Sequence, residues 1–84
     1  MYDYYFTFRS MTQAQRAVSA LRQAGIFAAL IRTPRAISTK GCGYSIQVGG
    51  DVVYRTAEVL RANLILHEKA CRSTAGGRAE EVFP

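Results

Sequence analysis

The sequence predicts an α+β domain, an antiparallel sheet with two helices on one face, and three features of its 84 residues carry that reading. An aromatic run of period two opens the chain, two later stretches repeat apolar residues at helical spacing, and short β-forming runs punctuated by Gly or Pro stand between and after them.

Residues 2–8, YDYYFTF, place Tyr2, Tyr4, Phe6 and Phe8 on one face and Asp3, Tyr5 and Thr7 on the other, as a first strand requires. The simplest role for Tyr4, Phe6 and Phe8 is the core face of the sheet. Ser10 and Gln13 have the spacing of a capping box, Ala14, Ala17, Val18, Leu21 and Ala24 recur at helical period, and Gly25 supplies a left-handed stop. Residues 26–32, IFAALIR, read as a second strand ended by Pro34, which has no N–H to give a ladder. Tyr44, Ile46 and Val48 alternate with Ser45 and Gln47 as a third strand closed by Gly49 and Gly50. Asp51 is placed to cap a second helix with Val53, Ala57, Leu60 and Leu64 on its inner face and Asn63 as terminator, after which residues 64–71, LILHEKAC, read as a fourth strand. The order βαββαβ with short connections is that of a ferredoxin-like sandwich. One domain over residues 1–71 is expected, with 72–84 a flexible tail unless Val82 and Phe83 dock.

Charge is unevenly placed. Arg9, Arg16, Arg22, Arg32, Arg35 and Lys40 lie between Asp3 and Asp51 with no acidic residue among them, and the chain carries a net charge of +5. Such a half attracts anions, whether phosphate, nucleic acid, small chalcogen anions or an acidic protein. The first residues, MYDYYFTF, lack a basic segment followed by an apolar one, and no apolar run is long enough to span a bilayer, so a cytoplasmic chain without membrane contact is expected. Cys42 and Cys71 are then reduced thiols. They do not form a CxxC pair, and His67 is the one histidine, so neither a metal nor another cofactor is expected.

The chemistry concentrates in TPRAISTKGCGYSIQV, residues 33–48. Cys42 stands between Gly41 and Gly43, after Arg32, Arg35 and Lys40. Cations favour S⁻ over SH, and flanking glycines remove side chains that would obstruct an incoming group. Cys71 has no such surroundings and reads as an incidental thiol, and His67 as a surface strand residue. Right-handed crossovers bring the loop after the second strand to the sheet end where the first helix begins, near the N–H groups of Met11, Thr12 and Gln13.

Thr7, Phe8 and Ser10 at the end of the first strand, Ala24, Gly25 and Ile26 after the first helix, and Thr33, Pro34, Arg35, Ile37 and Ser38 leading to Cys42 and Gly43 give the chain its family likeness. It resembles the selenium/sulfur carrier protein-like family over most of the domain. The resemblance implies that Cys42 carries sulfur or selenium as a persulfide or perselenide. Arg35 and Lys40 would stabilise the thiolate, Ser38 would donate a hydrogen bond, and Gly41 and Gly43 would admit a partner. A donor enzyme, such as a cysteine desulfurase or a selenium-handling protein, and an acceptor are the implied partners. Lys40, Gly41, Cys71 and the longer tail depart from the family's usual pattern.

Two other classes of function stand beside this. An RNA-recognition motif has the same element order, and KGCGYSIQ partly matches its third-strand signature through Lys40, Gly41, Gly43 and Tyr44. Cys42 and Gln47 replace two of its aromatics, each worth roughly 1–3 kcal/mol of base stacking, which makes nucleic acid the weaker reading. An adaptor that pairs through an exposed edge strand, including with a second copy of itself, is the other. An independent enzyme is disfavoured, because paired carboxylates, a Ser/His/Asp set and a phosphate loop are all missing from the sequence.

Overall fold

The structure, a computed structural model, describes residues 3–33, 43–73 and 79–82. Its elements are β1 (Asp3–Phe8), α1 (Met11–Gln23), β2 (Ala29–Arg32), β3 (Tyr44–Gly49), α2 (Val53–Ala62), β4 (Lys69–Ser73) and β5 (Ala79–Val82). The strands form one antiparallel sheet in the order β2-β3-β1-β4-β5. The architecture is α+β and broadly ferredoxin-like. It departs from a four-stranded βαββαβ sandwich in strand count, and hence in order, because β5 extends the sheet beyond β4.

Aromatic burial sets the layers. Phe6 and Phe8 of β1 are fully buried, and Phe6 pairs in register with Ile46 of β3 on one side and Ala70 of β4 on the other. Ala14, Ala17 and Leu21 of α1 and Val53, Ala57 and Leu60 of α2 complete the same core, so both helices cover one face. The register puts Tyr5, Thr7, Ser45, Gln47, Lys69 and Cys71 on the opposite face. Thr7 and Ser45 are buried there all the same.

Ser10 caps α1 as its spacing predicts, its hydroxyl accepting the Gln13 N–H at 3.2 Å. Asp51 does not cap α2. It lies in a 3₁₀ turn over Gly50–Val52, and Val52 precedes α2 without a side-chain cap.

Both helices end in the same hydrogen-bonded motif. After α1, the N–H of Gly25 donates to the Arg22 carbonyl at 3.0 Å and that of Ile26 to Leu21 at 2.8 Å. After α2, the N–H of Leu64 donates to Arg61 at 3.1 Å and that of Ile65 to Leu60 at 2.9 Å. These are paired Schellman closures, and in each the last inward helix residue and the isoleucine after the turn are both buried in the core. The turn needs a left-handed residue, supplied by Gly25 at φ 80° in the first and Leu64 at φ 54° in the second. The second closure bears out Asn63 as the terminator of α2, its side-chain amide donating to the Val59 carbonyl at 2.8 Å, and corrects one expectation: Leu64 is turned out of the core rather than onto the inner face of α2. The two closures also delay the next strands, so β2 starts at Ala29 rather than 26 and β4 at Lys69 rather than 64.

Residues 79–82, inside the segment read as a tail, are β5. Cys71 pairs with Glu81 and Arg72 with Glu80, the latter reinforced by an Arg72 Nη2–Glu80 Oε1 bond of 2.7 Å, and Val82 packs on the core edge.

The matched closures make opposite predictions for similar changes. Gly25→Ala forces a Cβ into the left-handed region and should cost about 1 kcal/mol, although a Cβ there would touch nothing. Leu64→Gly relieves that same strain and should stabilise by about 1 kcal/mol. Urea unfolding followed by circular dichroism measures both, and equal signs for the two variants would refute the assignment.

Candidate functional site

Arg35, Ser38, Lys40, Gly41 and Cys42 lie outside the described residues, and the structure defines the frame that holds their segment. The Thr33 N–H donates to the Gly43 carbonyl at 3.2 Å, continuing the β2–β3 ladder one step past Arg32 and Tyr44. The hydroxyls of Thr33 and buried Ser45 share a hydrogen bond of 2.6 Å. Segment 34–42 therefore leaves from and returns to one hydrogen-bonded pair of backbones.

Register fixes which end of the sheet that is. Arg32 pairs with Tyr44, and Tyr44 with Phe8, two residues before the Ser10 cap of α1. The frame and the start of α1 thus share one end of the sheet, because β1 and β2 each run antiparallel to β3 and so point the same way. Exposed Arg9 and Arg32 add positive charge there. Gln13 leaves the set of amides expected to be free, because Ser10 takes its N–H.

Gly43, the one proposed site residue within the described regions, is exposed. A Cβ there would meet no atom within 4 Å, and Gly25 is the one described glycine with positive φ. Among the described residues neither packing nor backbone geometry demands glycine at this position.

A second feature at the same end escaped the sequence reading. Arg9, Gln13, Leu66, His67 and Glu68 line an open cleft of about 500 Å³. β1–β4 pairing assembles it, with the Glu68 N–H donating to the Thr7 carbonyl at 2.7 Å and the Lys69 N–H to Thr7 Oγ1 at 3.1 Å. Its parts lie nearly 60 positions apart in the chain, and no local motif joins them. Arg9 Nε is 3.7 Å from Glu68 Oε1, a contact worth little because Arg9 is almost fully exposed.

His67 is not a surface strand residue. It lies in the connection before β4, half-buried, with its ring edge-on to Phe6 at a centroid distance of 5.0 Å. Burial, and then the charge of Arg61, push its pKa below the ordinary value. Cys71 is buried in β4, and desolvation raises its thiol pKa, with Glu81 adding to the rise and Lys69 opposing it. It is held as a thiol and is a poor nucleophile.

The described aromatics do not form a base-stacking surface. Tyr44 and Tyr4 pack against the helix-covered core, whereas RNA-recognition motifs stack bases on the open face of the sheet. On the opposite face, where Thr7, Ser45 and Cys71 are buried, Tyr5 is the one described aromatic of the strands. Among the described residues no group of three His, Cys, Asp or Glu could hold a metal ion, and no helix is long and apolar enough to cross a membrane.

The family model described as "Putative Se/S carrier protein-like" matches residues 3–72. No curated protein and no solved structure matches the chain.

The depressed pKa of His67 gives a pH prediction. The unfolded chain binds a proton near the ordinary value of 6.5, and the folded chain binds it only at lower pH. The contribution of neutral His67 is therefore complete above about 6.5 and is lost as pH falls from there towards the folded pKa. His67→Phe keeps the ring contact without the titration, so its urea midpoint should fall less than that of the wild type between neutral and mildly acidic pH. Parallel profiles for the two proteins would refute this.

Proposed function

Since the chain belongs to the putative Se/S carrier protein-like family, we propose that it carries sulfur or selenium on the thiol of Cys42. The observation that carries this reading is the family match, which runs through the whole cysteine loop and the framework on either side of it.

In the proposed cycle the Cys42 thiolate attacks the outer sulfur of a persulfide on a donor enzyme. A new S–S bond forms at Cys42, the donor's own S–S bond breaks, and the donor sulfur leaves as thiolate with the electron pair. A thiolate on the acceptor then attacks the outer sulfur, a new S–S bond forms there, and Cys42 leaves as thiolate. No oxidant or reductant is consumed, because the transferred sulfur keeps its oxidation state throughout. Selenium follows the same course through a perselenide.

In this scheme Arg35 and Lys40 stabilise S⁻, and Ser38 donates a hydrogen bond to it. Gly41 and Gly43 give a partner's reactive sulfur access to Cys42. The surroundings of Gly43 support that role, since no described residue packs where its side chain would stand. The Thr33–Gly43 closure supports it further by anchoring both ends of the loop. The protein is then a carrier, substrate-like for its donor, rather than an independent enzyme. A cysteine desulfurase or a selenium-handling enzyme is the donor class that this chemistry requires.

The test is intact mass of wild type, Cys42→Ser and Cys71→Ser after incubation with a cysteine desulfurase and cysteine. A sulfur adduct is expected on wild type and Cys71→Ser and none on Cys42→Ser. Near neutral pH, iodoacetamide should modify Cys42 at least about tenfold faster than Cys71. Equal labelling of the two thiols with no adduct on Cys42 would overturn the carrier reading.

A further inference from the structure

Leu64 and Leu66 flank buried Ile65 on the connection from α2 to β4, and each is 85 % exposed. Leu64 holds its side chain in water from a left-handed backbone position where the equivalent closure of α1 has glycine. The chain thus bears backbone strain and an exposed apolar side chain at one position, with no packing return inside the fold.

The surroundings are basic. The connection walls two clefts against α1, one shared by Asn63 and Ile65 with Arg16, the other by Leu66 with Arg9. Arg61 closes the last turn of α2, close enough for its charge to act on His67. Arg9, Arg16 and Arg61 are all exposed, and Glu68 is the one acidic residue lining either cleft among the described residues. Two apolar knobs ringed by arginines have the composition of a protein interface, with an apolar centre and a polar rim in which Arg is enriched. This surface lies at the end of the sheet where segment 34–42 is anchored, because Lys69 pairs with Thr7 one step from the row that joins Phe8, Tyr44 and Arg32.

We propose that Leu64 and Leu66, with Arg9, Arg16 and Arg61 around them, dock the persulfide-bearing donor enzyme by filling an apolar recess rimmed with carboxylates. The inference rests on the carrier reading and adds the surface that the donor recognises. Charge and position favour this occupant, since the arginines suit a carboxylate-bearing protein and the surface lies at the end of the sheet from which the Cys42 segment leaves. In a symmetric contact with a second copy, arginines of one sign would face each other across the interface. A bilayer is disfavoured because the apolar face of α2 is spent on the core, which leaves two leucines to insert, less than the single acyl chain that itself gives only marginal anchoring.

Biolayer interferometry of the full chain against a cysteine desulfurase tests this, alongside the rate at which Cys42 is loaded. Leu64→Gly and Leu66→Asp should each weaken binding about tenfold and slow loading, and added salt should weaken the wild type. Leu64→Gly is the decisive variant, since it should bind worse while unfolding at higher urea. Cys42→Ser should bind as the wild type does and fail to load. If both leucine variants bind and load at wild-type rates, the docking surface is overturned while loading of Cys42 upholds the carrier. If the wild type has no affinity for the desulfurase, the proposal falls, and the loading assay decides the carrier reading separately. Loss in Leu66→Asp of wild-type binding to vesicles of phosphatidylcholine and phosphatidylglycerol would overturn it in favour of a membrane, and loss of a wild-type dimer in sedimentation would do so in favour of self-association.

Discussion

The burial of Phe6 and Phe8 beneath two helices is the constraint on which the arrangement depends. Both rings are fully enclosed, and each fully buried side chain of this size contributes about 1.5–3 kcal/mol relative to exposure. To enclose them, β1 takes the middle of the sheet, with β3 and β4 on its two sides. Antiparallel pairing on both sides then brings three connections to one end: the start of α1, the ends of segment 34–42, and the approach to β4. Thr7 ties that end together, since its hydroxyl accepts the Lys69 N–H and donates to the Lys69 carbonyl at 3.2 Å.

That geometry suits a carrier better than an enzyme with an enclosed site. Under the proposed function a carried sulfur is presented in turn to two different active sites, and the Thr33–Gly43 pair fixes where the segment that bears it leaves the sheet. The frame supplies rigidity at Thr33, Ser45 and Gly43, while the reactive chemistry needs little beyond a thiolate and nearby cations. The two cysteines divide accordingly. Cys71 pays for its place in the sheet with a raised pKa, so oxidation or sulfuration there is disfavoured by the same burial that stabilises the strand.

Much of the fold was legible in the sequence because its signals are local. Alternation in residues 2–8, the Ser10 cap and the Ala14–Ala17–Leu21 stripe each lie within a few residues, and each appears where its period puts it. One misplacement traces to Leu64, which reads as a helix-face or strand residue by pattern alone because leucine is a poor choice for a left-handed turn, and that moved the expected start of β4 forward to 64. β5 was missed because residues 79–82, AEEV, are weak strand formers whose pairing depends on the free edge of β4 and on the Arg72–Glu80 bond.

By itself the sequence determined the types of the first six elements, the two-helix α+β architecture and the family, since these follow from periodicity, capping and residues contiguous in the chain. Tertiary structure alone decided that β5 adds to the sheet, that Cys71 is sealed in it, that Tyr44 faces the core rather than a ligand, and that Arg9 meets His67 and Glu68 across a cleft. The physical reason is sequence separation. Pairing between β1 and β4 joins residues more than 60 positions apart, and burial, charge coupling and exposure at such contacts are properties of the assembled sheet.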